Sequence, residues 1–125
     1  MLILGSLPAT LGPMSLAYAD EAIHLRNVTA LSDRDIARAT GAGVSSVSAW
    51  LRRERAPRGR RAERLVELSA IAERLAAVLG PEHVPVWLNK PVPALGHRKP
   101  LDVIAEGGYE QVSRLVAEFE SPTFG

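Results

Sequence analysis

The sequence predicts an all-α fold, a helix-turn-helix bundle followed by a small helical domain. Three observations carry this. Aromatic residues make up only 5% of the 125 residues, while the strong helix formers alanine and leucine are abundant. Val, Ile and Thr never form the sustained alternating run that a half-buried strand needs. Between residues 60 and 79, Leu65, Leu68, Ile71, Ala72, Leu75, Val78 and Leu79 recur at three- and four-residue spacing, a continuous apolar stripe on one helix. A chain of this length has room for one or two small helical domains and not for a large α/β enzyme.

The elements follow in order. Ser15 can cap a helix reaching about Asn27, spaced by Leu16, Ala19, Ala22 and Ile23. Ser32 caps a second helix, with Asp33 and Asp35 in the first turn, where the helix dipole favours negative charge. It ends at Gly41, and Val44 to Arg53 forms a third helix. Ala56-Pro57-Arg58-Gly59 breaks the chain before the long helix from Arg60 to Leu79. Gly80-Pro81 is a stop signal, and Pro85 opens a short helix to Leu88. After a proline-rich loop over Asn89 to Pro93, two short helices are expected, Leu101 to Glu106 and Tyr109 to Glu120, parted by Gly107-Gly108. The expected boundaries are a disordered extension over 1–14, a DNA-binding unit over 15–59, a connecting or dimerisation helix over 60–80 and a C-terminal domain over 81–125.

The first 19 residues carry no charge and end Ala17-Tyr18-Ala19, the look of a secretory cleavage site. The segment lacks a basic start, and Gly5, Pro8, Gly12 and Pro13 interrupt its apolar run. A disordered extension, or a start at Met14, suits it better, and the chain is expected to be cytoplasmic. No run is long enough to span a membrane. With no cysteine, disulfides, thiolate metal sites and Cys nucleophiles are excluded.

Net charge is only +1 but unevenly spread. Arg52 to Arg64 holds seven arginines against Glu54 and Glu63, a balance of +5, whereas Leu101 to Gly125 holds five acids against Arg114, a balance of −4. A basic middle and an acidic end suggest two partners of opposite charge, unless both are ordinary solvated faces.

The basic middle adjoins a helix-turn-helix pattern: Ile36-Ala37, then Gly41, then Val44 and Val47. Ala37 must be small where the next helix crosses it. Gly41 permits a left-handed turn. Ile36, Val47 and Trp50 are expected to pack between the helices, Trp50 as core rather than as a base-stacking residue. Ser45, Ser46, Ser48, Ala49 and Arg52 then face outward, toward a major groove, with Arg52 or Arg53 reaching a guanine or the backbone. Arg55, Arg58, Arg60 and Arg61 read as phosphate contacts to operator DNA. Glu63, Glu67 or a partner protein are alternative counter-charges for some of these arginines.

In the C-terminal third, Trp87-Leu88-Asn89 precedes Leu95-Gly96-His97-Arg98-Lys99-Pro100, then Asp102-Val103-Ile104, Gly107 and Tyr109-Glu110-Gln111-Val112. Pro100 suits the first turn of a helix and Asp102 its positive end. Leu101, Ile104, Val112, Leu115, Val116 and Phe119 can bury between two helices folded back at Gly107-Gly108. This order resembles the antitoxins of the Xre/MbcA/ParS family, the MbcA-type members in particular, over about Ser32 to Gly125. The resemblance implies an Xre-like helix-turn-helix followed by a toxin-binding domain. It also implies a partner toxin of the RES fold that destroys NAD, inhibited by occlusion of its NAD pocket, and repression of the antitoxin's own operon. Toxin contacts are then expected at Gly96, His97, Arg98, Lys99, Tyr109 and the tail Pro122, Thr123, Phe124 and Gly125, where an aromatic anchor and a free carboxylate could enter a concave site or simply fray. A homodimer is expected, since one module reads one half-site. The alternative is a free-standing regulator whose C-terminal domain dimerises or senses a ligand.

His24, His83 and His97 are isolated, without a second histidine at ligand spacing, so no metal is expected. No glycine-rich loop follows a strand, and no catalytic set is apparent, so neither a cofactor nor an enzymatic activity is expected.

Overall fold

The computed structural model describes residues 12–121. In chain order it contains α1 (Gly12–Val28), α2 (Asp33–Thr40), α3 (Val44–Leu51), α4 (Gly59–Leu79), α5 (Val84–Leu88), α6 (Pro100–Ala105) and α7 (Tyr109–Glu120), with 3-10 turns at Pro81–His83 and Pro93–Leu95. The all-α expectation holds: among the described residues, extended backbone pairs only in an isolated antiparallel bridge between Val92 and Arg98.

The helix ends follow local chemistry. Helix α1 begins at Gly12, three residues before the expected Ser15, so only residues 1–11 of the expected extension lie outside the described residues. Its C-terminus is closed by Thr29, whose Oγ1 donates to Leu25 O at 2.8 Å and accepts from Leu31 N at 3.2 Å. Helix α2 opens with a reciprocal capping box: Asp35 N donates to Ser32 Oγ at 3.1 Å, and Ser32 N donates to Asp35 Oδ2 at 3.2 Å. It ends at Gly41, whose φ of 77° is left-handed, with Gly41 N and Ala42 N both bonded to Ala37 O. A Cβ on Gly41 would meet nothing within 4 Å, so backbone conformation and not space demands glycine there.

Helix α3 stops two residues short of the expected Arg53. Glu54 N bonds to Ala49 O at 2.9 Å and Arg53 N to Trp50 O at 3.0 Å, a Schellman motif whose left-handed residue is Arg53 at φ 60°. The same motif closes α6, with Gly108 N on Val103 O at 2.8 Å and Gly107 N on Ile104 O at 2.9 Å. There the left-handed residue is Gly107, at φ 95°. Gly108 is required for space: a Cβ on it would lie 2.4 Å from Val103 Cγ1.

Helix α4 is the central wall. Ala62, Leu65, Leu68, Ser69, Ile71, Ala72 and Leu75 are buried along it, and α1, α2, α5, α6 and α7 all pack on it. The expected stripe is covered only as far as Leu75, since Val78 is 42% exposed and Leu79 half-buried. One hydrophobic cluster runs from Ala22 through Ile36, Val47 and Trp50 to Leu101, Ile104, Val112 and Val116. The expected boundaries therefore mark elements around a shared core and not separate cores.

Polar links cross the same boundaries. Arg38 of α2 holds Asp102 of α6 through two bonds, Nε to Oδ1 at 2.5 Å and Nη2 to Oδ2 at 3.0 Å, a bidentate pair that raises the Arg38 pKa. Asn89 Nδ2 donates to Asp35 Oδ1 at 3.2 Å. Arg74 of α4 reaches Ser113 Oγ at 2.7 Å and both carboxylate oxygens of Glu120, at 2.9 and 2.7 Å. Arg64, its side chain only 14% exposed, bonds Glu67 at 3.2 Å and lies under Gly107, where a Cβ would come within 3.1 Å of its Nη2.

Two outcomes follow. Gly41→Ala forces a side chain into the left-handed region and should lower the unfolding free energy by about 1 kcal/mol in urea melts, Gly41→Asn by less. Glu120 is held below its ordinary value of 4.5, first by its hydrogen bonds to Arg74. A depressed carboxylate stabilises the fold above its unfolded pKa and loses that contribution as pH falls through its folded pKa. Wild type should therefore melt above Glu120→Gln at neutral pH, and the gap should shrink as the pH falls below the ordinary carboxylate range.

Candidate functional site

Two surfaces gather the residues singled out by the sequence. The first lies at the α3–α4 junction. Helix α3 is pressed against both α1 and α2, which buries Val47 and Trp50 as expected. It also buries Ala49, only 3% exposed, so Ala49 cannot reach a groove and its expected DNA contact is corrected. The hydrophobic period locates a buried face, but its width depends on how many helices cover it. Ser45 is exposed, and Ser46 and Ser48 are half-buried.

The two arginines nearest α3 are occupied. Arg52 grips Glu54 through Nε at 3.0 Å and Nη2 at 3.1 Å, which raises the Arg52 pKa and holds the Glu54 carboxyl low. Arg53, locked in its left-handed turn, pairs with Asp20 of α1. By contrast Arg55, Arg58, Arg60 and Arg61 are exposed and, among the described residues, pair with no carboxylate. With Ser46, Trp50, Ala56 and Pro57 they line one concavity.

The second surface is the loop between α5 and α6. Val92 N bonds to Arg98 O at 3.1 Å and His97 N to Val92 O at 2.9 Å, with Leu95 buried beneath. This short closure puts Gly96 and His97 consecutively into left-handed backbone, at φ 69° and 63°. Gly96, His97 and Arg98 are exposed, and Lys99 is half-buried as the N-cap of α6. Arg98 Nη2 reaches past α6 to Glu106 Oε2 at 2.5 Å, three residues before Tyr109. Tyr109 is half-buried against the core beside Arg74, so its ring is less free than expected. The expected contacts Pro122, Thr123, Phe124 and Gly125 lie outside the described residues.

Sequence reasoning missed an apolar patch next to this loop. Val86 is 64% exposed and, with Leu79, His83, Trp87 and Lys90, lines a shallow concavity. Phe119, expected in the core, is 38% exposed and meets Trp87 edge-on, with ring centroids 5.7 Å apart at 80°. The two valines of α5 gave the signal: in a five-residue helix, Val84 and Val86 cannot both face the core. His24 and His83 are engaged locally, His24 Nε2 lying 3.0 Å from Glu73 Oε2 and His83 Nδ1 2.9 Å from Leu79 O.

Comparison with known proteins bears on this C-terminal face. Residues 74–121 match the family model described as the antitoxin Xre/MbcA/ParS C-terminal toxin-binding domain. The mycobacterial cidal antitoxin MbcA of Mycobacterium bovis and that of Mycobacterium tuberculosis are each 36% identical over 75 residues, 60% of this chain. The match spans 66% of the length of those relatives. Among solved structures, a chain of the Mycobacterium tuberculosis MbcT–MbcA toxin–antitoxin complex superposes with a TM-score of 0.74 at 28% identity, over 86% of this chain and 96% of that one. That likeness extends through α1–α3 as well as the matched C-terminal part, and with it the chain is shown to belong to the Xre/MbcA/ParS antitoxin family.

Proposed function

We propose that the chain is the antitoxin of a two-component toxin–antitoxin pair, holding its toxin on the C-terminal face. The observation that carries this is the match of residues 74–121 to a toxin-binding domain, coincident with the exposed apolar patch and the strained His97 loop. The toxin is of the RES type and degrades NAD, and the antitoxin acts by covering its NAD pocket. Gly96, His97, Arg98, Lys99 and Tyr109, with the tail from Pro122 to Gly125, make the polar contacts. Val86, Trp87 and Phe119 supply the apolar anchor that interfaces concentrate in a few residues. A homodimer bound to operator DNA through α3 and the arginines from Arg55 to Arg61 represses the operon.

Co-expression with the product of the neighbouring gene tests the pairing. A stable co-complex, relief of growth arrest and an arrest of NAD loss are expected. A toxin that stays free and active beside a folded antitoxin would leave the chain a free-standing regulator. Within the complex, Val86→Asp and His97→Gly should each weaken toxin affinity about tenfold or more, equivalent to about 1.4 kcal/mol. Both should leave the isolated chain folded, because Val86 is exposed and glycine suits the left-handed backbone at His97. Unchanged affinity in both variants would move the docking surface elsewhere. Removing Pro122 to Gly125 without loss of inhibition would reject the tail as a plug while leaving the complex intact.

A further inference from the structure

We infer that the patch around Val86 seats an amphipathic helix of the partner, its apolar ridge on Val86 and Trp87 and a carboxylate on the edge that faces Lys90. The inference rests on the toxin-holding reading above and adds to it what the toxin must present. Leu79, His83, Val86, Trp87 and Lys90 line the concavity, and all five lie within the stretch 74–121 that matches the toxin-binding family model. The centre is apolar: Val86 is 64% exposed, and Phe119, edge-on to Trp87, is 38% exposed. An exposed apolar patch rimmed by polar groups marks an interaction surface. Among the described residues the only extended pairing is the isolated Val92–Arg98 bridge, too short to template an added strand. The occupant must therefore satisfy its own backbone, as a helix does. Helical side chains at three- and four-residue spacing suit so short an apolar floor.

The charge around that floor has a sign. From His83 to Leu101 the chain carries Lys90, Arg98 and Lys99 and no Asp or Glu. Lys90 is exposed and, among the described residues, pairs with no carboxylate. The acids that bound this stretch lie outside the concavity. Glu82, 3.6 Å from His83 Nδ1, lies back against Gly80, where a Cβ would come within 3.2 Å of its Oε1. Asp102 accepts both bonds from Arg38. His83 donates from Nδ1 to Leu79 O at 2.9 Å, which sets its ring against the end of α4. The α7 edge has the other sign: Phe119 is flanked in sequence by Glu118 and Glu120, the latter held by Arg74. A helix laid across the patch gains by turning its carboxylates toward Lys90 and away from α7. Rim charges arranged in this way fix orientation and steer the encounter.

The test uses the full chain and the product of the neighbouring gene, with affinity measured at low and at physiological salt. Lys90→Glu should weaken the complex about tenfold or more at low salt, and Lys90→Arg less than about threefold. Val86→Lys and Val86→Asp lose the same apolar contact but differ in sign. Val86→Lys should therefore bind at least about fivefold tighter than Val86→Asp, a gap that narrows as salt rises. Val86 and Lys90 are exposed, so all four variants should keep the wild-type melting curve, and should a Val86 variant fail to fold, the Lys90 pair carries the test. A photocrosslinker placed at position 86 should capture a toxin segment whose apolar residues recur at helical spacing with Asp or Glu beside them. Equal affinities for Val86→Lys and Val86→Asp, or no loss in Lys90→Glu, would overturn the inference while a stable wild-type complex kept the toxin-holding reading. Capture of a segment with alternating apolar residues, or with only Lys and Arg beside them, would do the same. Val86→Asp splitting a homodimer with toxin affinity intact would give the patch to a second copy and also overturn the inference. No complex with the wild-type chain would overturn both.

Discussion

Everything in this fold depends on the burial of one face of α4. A helix of 21 residues with seven buried positions needs more cover than any single short neighbour supplies. Helices α1 and α2 and helices α5, α6 and α7 all pack on it, so the amino-terminal and carboxy-terminal helices share one apolar wall. Helices α2, α6 and α7 rest on that surface directly, whereas α3 is set against α1 and α2. Arg38–Asp102 and Asn89–Asp35 then tie α2 directly to the C-terminal elements, without passing through α4 at all.

The two Schellman motifs differ in the residue that takes the left-handed position. At the end of α6 the left-handed position is glycine, the residue with no steric penalty there. At the end of α3 the same position is Arg53, and an ion pair to Asp20 accompanies it. His97 is the other non-glycine residue in left-handed backbone among the described residues, and it stands in the exposed loop ahead of α6. Strained backbone in folded chains concentrates where a surface has work to perform. Both strained residues here flank the surfaces assigned to partners.

Much of the architecture was readable from local chemistry. The capping box at Ser32, the left-handed turn at Gly41, the proline that starts α6 and the stripe from Leu65 to Leu75 each depend on residues within one or two turns of one another. What could not be read depends on partners far along the chain. Arg38 and Asp102 are 64 residues apart, and neither carries a sign of the other. Ala49 and Phe119 were misplaced for one reason: periodicity gives the direction of a face but not how much of it neighbouring helices cover. The candidate surfaces were legible as charge and as family resemblance. Which arginines are free and which are neutralised by Glu54 or Asp20 emerged only from the geometry.

The shared wall also bears on how such a protein is lost from a cell. Cutting the chain within α4, or peeling away α6 and α7, would strip cover from α4 and open the single apolar cluster to which the amino-terminal helices also contribute. A protease that opened either end would then meet an unfolding substrate along the whole chain. Turnover would be all-or-none, with no folded amino-terminal fragment outlasting the C-terminal face.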